Sequence, residues 1–137
     1  MRRSSVETRY VDFIPEVLEE GILYVSEKYS VASHNCCCGC GKEVVTPLSP
    51  TDWRIEREGG AVSLYPSIGN WSFPCRSHYF LKGNRVEWAG DMRQQDIDAS
   101  IATDRENKAR YYSSRTSSRS WWTRLCSTVR NLFTRRN

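Results

Sequence analysis

The sequence predicts a small α+β domain, mainly β, closed by a C-terminal helix. Short apolar and β-branched runs, broken by Gly, Pro, Asn and Asp, fill the stretch between Ile22 and Trp88. Past Asp91 the spacing of Ile97, Ile101 and Tyr112 turns helical. Between the first of the β-type runs, "SHNCCCGCG" (Ser33 to Gly41) gathers Cys36, Cys37, Cys38 and Cys40, four of the six cysteines, and a fifth, Cys75, opens "CRSH". Two Cys-bearing loops in so short a chain predict a domain stabilised by zinc.

The elements follow in order. In "FIPEVLEEGILYVS", Pro15 suits the first turn of a short helix and Gly21 its C-terminal cap. "ILYVS" then reads as a buried strand, and the cysteine stretch as a loop, since no apolar periodicity runs through it. "KEVVTPL", "WRIERE" and "AVSLYP" are β-type runs parted by "SPTD" and "EGG", and "SIGNWSFPC" reads as a loop. "SHYFLKGNRVEWA" is a pair of strands around Gly83-Asn84, a strong hairpin signal. Asp91 suits the N-cap of the closing helix. This divides the chain into a zinc-bound β-rich domain with its helix over 1–112 and a basic segment over 113–137, made of a Ser/Arg-rich linker and an amphipathic tail.

Charge is uneven along the 137 residues. Residues 1–106 hold 12 Lys/Arg against 16 Asp/Glu, whereas 107–137 hold eight Lys/Arg and no acid. A mildly acidic body argues against a nucleic-acid-binding core. The tail sets Trp121, Trp122, Leu125, Val129, Leu132 and Phe133 on one helical face with arginines largely outside it, a pattern suited to an anionic membrane surface, a partner groove or its own domain. No run approaches the ~20 apolar residues of a membrane span, and "MRRSSVETRYVDF" has no signal-peptide core. A cytoplasmic location is therefore expected, where clustered thiols stay reduced and bind metal or react.

Cys36, Cys38 and Cys40 alternate, and Gly39 and Gly41 allow the tight backbone that aims alternate thiolates at one point. Cys75 and His78, two residues apart in "CRSH", have the spacing of a zinc-ligand pair. With His34, six donors compete for four positions. Cys38, Cys40 and Cys75 rank first, Cys36 stands ahead of His78 for the fourth, and Cys37 points away into packing. Cys126 belongs to the tail. Four thiolates would close the site, make the zinc structural and release both histidines. A serine then needs a base within hydrogen-bond reach. Ser67 follows a proline at a Gly-containing turn, where backbone N–H groups could form an oxyanion site, and His78 comes near it if Cys75 shares the metal. Ser77 adjoins His78 and would face the other side of a strand, which leaves it His34. A turn serine that caps backbone and a histidine that ligates metal are the plainer alternatives.

"GILYVS", "HNCCCGCGKEVVTPL", Trp53, "SLYPSIGN", "PCRSHYFL" and "VEW" together resemble a family of small bacterial proteins long catalogued as a domain of unknown function. Its pattern is His-x-Cys-x-Cys-Gly-Cys-Gly, then Ser-Leu-x-Pro-Ser-Ile, then Cys-x-Ser-His-aromatic. Those blocks fall here on His34 to Gly41, Ser63 to Ile68 and Cys75 to Tyr79, and the likeness spans about residues 13–112. Members resemble proteins encoded beside bacterial ubiquitin-like conjugation genes. The resemblance implies a peptidase that processes a ubiquitin-like protein or cleaves its conjugates, with E1- and E2-like proteins as further partners and a place in antiphage defence. Carried over, Ser67 or Ser77 would be the nucleophile, His78 or His34 the base, and the cysteines the holders of zinc. A non-catalytic zinc-binding interaction module and a zinc metallohydrolase using His34 and His78 are the competing expectations.

Overall fold

The run Ile22–Ser26 is buried along its whole length, and it organises half of the β structure. It pairs on one side with Glu7–Tyr10 and on the other with Val31–Asn35, which in turn pairs with Glu43–Pro47. These are β1 (Glu7–Tyr10), β2 (Ile22–Ser26), β3 (Val31–Asn35) and β4 (Glu43–Pro47), in that spatial order; β1 runs parallel to β2 and the other pairs are antiparallel. The second sheet is a meander of β5 (Arg54–Glu58), β6 (Ala61–Gly69), β7 (His78–Lys82) and β8 (Arg85–Trp88). A helix, α1 (Gln94–Phe133), follows. This computed structural model describes the backbone of residues 1–133 and the side chains of residues 1–116. Residues 1–94 and 95–137 form two compact units.

The two sheets share one core. Leu23, Val25, Ala32 and Val44 from the first meet Val62, Leu64, Ile68, Tyr79, Leu81 and Val86 from the second, with Cys36 and Cys37 among them. Strand alternation then decides which residues stay outside: along β6 and β7, Ser67, His78 and Phe80 lie on the opposite face from Ile68, Tyr79 and Leu81. β2 is buried on both faces because Ile22 and Tyr24 pack under Leu18, Val11 and Ile14. That is why "ILYVS" is apolar without alternating.

Four expectations are corrected. The segment around Pro15 is irregular, not helical. A helix of two turns is marginal by itself, and here the chain must return along β2 to make the parallel pair, so Ile14 and Leu18 are used as cover for Tyr24. Gly21 takes φ +79° ahead of β2, where a Cβ would meet the guanidinium of Arg3 at 2.7 Å. The loop assigned to "SIGNWSFPC" begins later than expected, because β6 continues through Gly69. A register shift between Leu64 and Ile68 absorbs Pro66, which has no N–H to give a ladder. Finally, helix replaces the expected linker at Ser113–Ser120. No Gly or Pro interrupts residues 94–133, and Ser113, Ser114 and Thr116 turn their hydroxyls back onto the carbonyls of Arg110, Tyr111 and Tyr112. Asp91 is upstream of the N-cap and bonds the Met92 N–H instead. The amphipathic face expected at Trp121–Phe133 and Cys126 lie outside the residues whose side chains are described. Among the described residues no helix is long and apolar enough to cross a membrane.

The Gly83-Asn84 hairpin is as expected, with φ of 54° and 64° at its two central residues. Asn84 also binds three segments together. Its Oδ1 accepts from Val62 N–H at 2.9 Å and Thr8 Oγ1 at 2.8 Å, its N–H donates to the Val62 carbonyl, and its carbonyl accepts from Val6 N–H. Asn84→Ala removes both side-chain bonds and leaves alanine in a left-handed conformation, so it is expected to cost about 2–3 kcal/mol. Asn84→Gly, which fits the backbone, should cost about 1 kcal/mol less; urea unfolding midpoints measure both.

Candidate active site and metal centre

The loop after β3 and the loop before β7 meet at four sulfurs. The Sγ atoms of Cys36, Cys38, Cys40 and Cys75 all lie within 4.8 Å of one another. Cys36 is 3.4 Å from Cys38 and 3.9 Å from Cys75, and Cys40 is 3.8 Å from Cys75. A tetrahedron with zinc–sulfur bonds of ~2.3 Å has sulfur–sulfur edges of about 3.8 Å. The donor set therefore fits one tetrahedral, thiophilic ion, and these four residues could hold zinc. Gly39 and Gly41, at φ +87° and +74°, supply the backbone turns that aim alternate side chains inward. The N-terminus leans on this loop: Arg3 N–H bonds the Cys37 carbonyl at 2.8 Å, and a Cβ on Gly39 would strike the Met1 backbone.

Four adjacent sulfurs resist ionising together unless a cation compensates them. Burial raises Cys36, while burial and bonds to the thiols of Cys36 and Cys40 raise Cys38. Cys75 moves the other way. Its burial is outweighed by hydrogen bonds from the Ser77 hydroxyl and amide and from the thiols of Cys38 and Cys40, which bring it to about 7. Cys37 is fully buried, belongs to the core and is pushed up to about 12 by that burial. It is packing, as its place between ligands suggested.

Ser77 lies buried against the sulfurs. Its Oγ is 3.0 Å from Cys36 Sγ and 3.5 Å from Cys75 Sγ, and it accepts from Asn70 Nδ2 at 2.8 Å. Asn70 also donates to Cys36 Sγ at 3.6 Å, and its own N–H donates to the Ser77 carbonyl at 2.9 Å. Nothing in the sequence ties Asn70 to a cysteine 34 positions earlier, so its role was not visible there. His34 is buried in the core with Nε2 2.9 Å from the Tyr79 hydroxyl and Nδ1 without a partner among the described residues. Burial lowers it to about 4, so it is neutral at neutral pH. The pairing of Ser77 with His34 does not form; each is bonded elsewhere.

Ser67 and His78 do come together. Gly69 pairs with His78 across β6 and β7, which makes Ser67 its diagonal neighbour on the outer face, and Ser67 Oγ is 3.0 Å from His78 Nε2. His78 Nδ1 is 3.1 Å from the Gly90 carbonyl. A carbonyl can only accept, so Nδ1 carries the proton and Nε2 is left to accept from Ser67 O–H. Gly69 has no side chain opposite His78, and the Trp71 indole occupies that space, its ring 5.0 Å from the imidazole. Phe80 stands 6.0 Å away on the other side. Ser67 also lines a cleft of about 580 Å³, with Ser49, Asp52, Arg54, Tyr65, Pro66 and Phe80 around it. The arrangement sets a serine hydroxyl against the acceptor nitrogen of an imidazole, beside a cleft. The expected turn at Ser67 is corrected: it sits in the irregular part of β6.

A family model described as bacterial ubiquitination-like system serine protease (BubE) matches residues 10–89. The chain belongs to this family. The matched stretch contains the four clustered cysteines, Ser67, Ser77 and both histidines. No curated protein and no solved structure matches the chain.

Purified protein is expected to carry one zinc per chain by elemental analysis. Cys75→Ser should lose it and unfold at lower denaturant, whereas Cys37→Ala should keep the full content. Ser77→Ala removes the hydroxyl that lies 3.0 Å from Cys36 Sγ and 3.5 Å from Cys75 Sγ and should weaken zinc binding by roughly 10- to 100-fold in a chelator competition.

Proposed function

We propose that the protein is a zinc-stapled serine peptidase that releases or trims a ubiquitin-like protein at its C-terminal end. The hydrogen bond from Ser67 Oγ to His78 Nε2, at 3.0 Å, carries this reading. Ser67 attacks the carbonyl carbon of the scissile bond while His78 takes its proton at Nε2. The Gly90 carbonyl holds the imidazole through Nδ1 and favours the cation formed in that step. His78 then gives the proton to the leaving nitrogen as the C–N bond breaks; its freed Nε2 next takes a proton from water, which attacks the acyl carbon, and passes it to Ser67 Oγ as the ester bond breaks and the carboxylate leaves.

Cys36, Cys38, Cys40 and Cys75 are the proposed zinc ligands. A closed thiolate set supplies structure and leaves no position for a water, so no part of the reaction is assigned to it. The cleft beside Ser67 is bordered by Arg54 on β5, an edge strand of the second sheet. An extended tail can enter there, pairing with that edge, while the modifier's folded part docks outside. Residues 1–112 are taken to carry this activity and 113–137 to be an appended basic segment. E1- and E2-like proteins of the same system are the further proposed partners.

A ubiquitin-like protein bearing a C-terminal extension, taken from the same conjugation system, tests the reading. Wild type should remove the extension, Ser67→Ala and His78→Ala should each slow it by at least about 10³-fold, and Ser77→Ala loaded with zinc should retain most of the rate. Cleavage that survives Ser67→Ala and fails in Ser77→Ala would move the nucleophile. Binding of the modifier with no cleavage would favour an interaction module. Zinc-dependent cleavage indifferent to both serines would favour a metallohydrolase.

A further inference from the structure

The Gly90 carbonyl does the work an aspartate does in many serine hydrolases, yet it belongs to a stretch, residues 89–93, with no regular secondary structure. A backbone acceptor is only as well placed as the segment that carries it. Ala89 N–H, bonded to the His78 carbonyl at 2.9 Å, anchors one end. At the other end Arg76 reaches across from the loop before β7. Arg76 Nη2 donates to Asp91 Oδ1 and to the Met92 carbonyl, both at 3.3 Å, and Nη1 donates to Gln94 Oε1 at 3.4 Å. The planar fork of a guanidinium suits three acceptors spread over four residues, which an ammonium would serve less well.

Arg76 reaches the histidine by a second route. Its guanidinium lies over the Trp71 ring at 5.7 Å, and that ring packs on His78 at 5.0 Å. It does so from φ +43°, a left-handed conformation that costs a side chain about 1 kcal/mol relative to glycine. The residue stands between Cys75, in the sulfur cluster, and Ser77, bonded to it. Glycine would suit this backbone better; the arginine is there for what its side chain touches.

We propose that Arg76 is the positioning residue of the Ser67–His78 pair, clamping residues 91–94 so that the Gly90 carbonyl meets Nδ1 and pressing Trp71 onto the imidazole face. The inference rests on the assignment of Ser67 and His78 above. It adds that the same short stretch of chain transmits the order of the metal loop to the base.

Arg76→Gly and Arg76→Lys in the full-length, zinc-loaded protein test it. The first measurement is the proton resonance of His78 Nδ1–H, with the ring N–H of the buried His34, on whichever nitrogen carries it, as internal control. In Arg76→Gly the His78 signal should broaden or vanish through exchange while that of His34 persists, and Arg76→Lys should fall between Arg76→Gly and wild type. The second is the rate at which a fluorophosphonate probe labels Ser67, expected to drop at least about tenfold in Arg76→Gly with zinc content unchanged and the unfolding midpoint equal or higher. A wild-type His78 resonance and a wild-type labelling rate in Arg76→Gly would overturn the inference. If Arg76→Gly lost zinc, Arg76→Lys would decide by the same two readouts. Failure of wild type itself to label would count against Ser67 as nucleophile, while the His78 resonance would still decide the role of Arg76.

Discussion

The tie between two distant loops at four sulfurs is the constraint from which the rest of the architecture follows. Cys36, Cys38 and Cys40 leave the end of β3 in one sheet, and Cys75 precedes β7 in the other. Once Cys75 is fixed, only two residues separate it from His78, so the start of β7 has little freedom to drift from β6. Side-chain alternation sends Ser77 inward to the sulfurs and His78 outward to Ser67. One short segment therefore faces two sites at once. A small domain gains much of its stability from such a clip when an ion closes it, and the proposed chemistry stays on the far side of the strand from the sulfurs.

Ser67 and His78, the proposed nucleophile and base, share a sheet face that the core does not use. Val62, Leu64 and Ile68 on β6 and Tyr79 and Leu81 on β7 are spent on the joint core of the two sheets. The residues between them are spared that role, and at Ser67 the register shift widens the ladder next to the cleft. A bulge is a place where a side chain can be re-aimed without disturbing its neighbours. Here it lets Ser67 lean toward a histidine that is diagonal to it instead of directly opposite. Gly69, opposite His78, matters for what it lacks, because a Cβ there would collide with the indole that covers the imidazole.

Much of this was legible from residue type and spacing. Strands with alternating or solid apolar runs, the Gly83-Asn84 hairpin and the two cysteine-bearing loops all rest on local patterns, and local patterns are what sequence displays. Errors came where long-range pairing outweighed local preference. The short helix near Pro15 failed because β1 pairs in parallel with β2, which the intervening residues cannot announce. β6 ran past Pro66 because a bulge accepts a residue with no N–H. Asn70, Trp71, Arg76 and Gly90 were invisible for a different reason. Each acts on an atom brought near by tertiary contact, and a backbone carbonyl such as that of Gly90 has no sequence signature.

The two histidines show how environment, not residue type, divides the labour. His34 and His78 both lie within a few residues of sulfur ligands, and from the sequence either could be ligand or base. His34 was drawn into the core by β3, where burial keeps it neutral and its Nε2 is bonded to Tyr79. A base that resists protonation this strongly and cannot meet a substrate has no route into proton transfer. His78 sits at the beginning of β7, half-exposed, with an acceptor on one nitrogen and a hydroxyl on the other. That geometry fixes its tautomer, with Nδ1 donating to the Gly90 carbonyl and Nε2 accepting from Ser67, the form the proposed base requires. Strand position thus separates the histidines: β3 carries His34 into the core beside Tyr79, and the first position of β7 sets His78 beside Ser67.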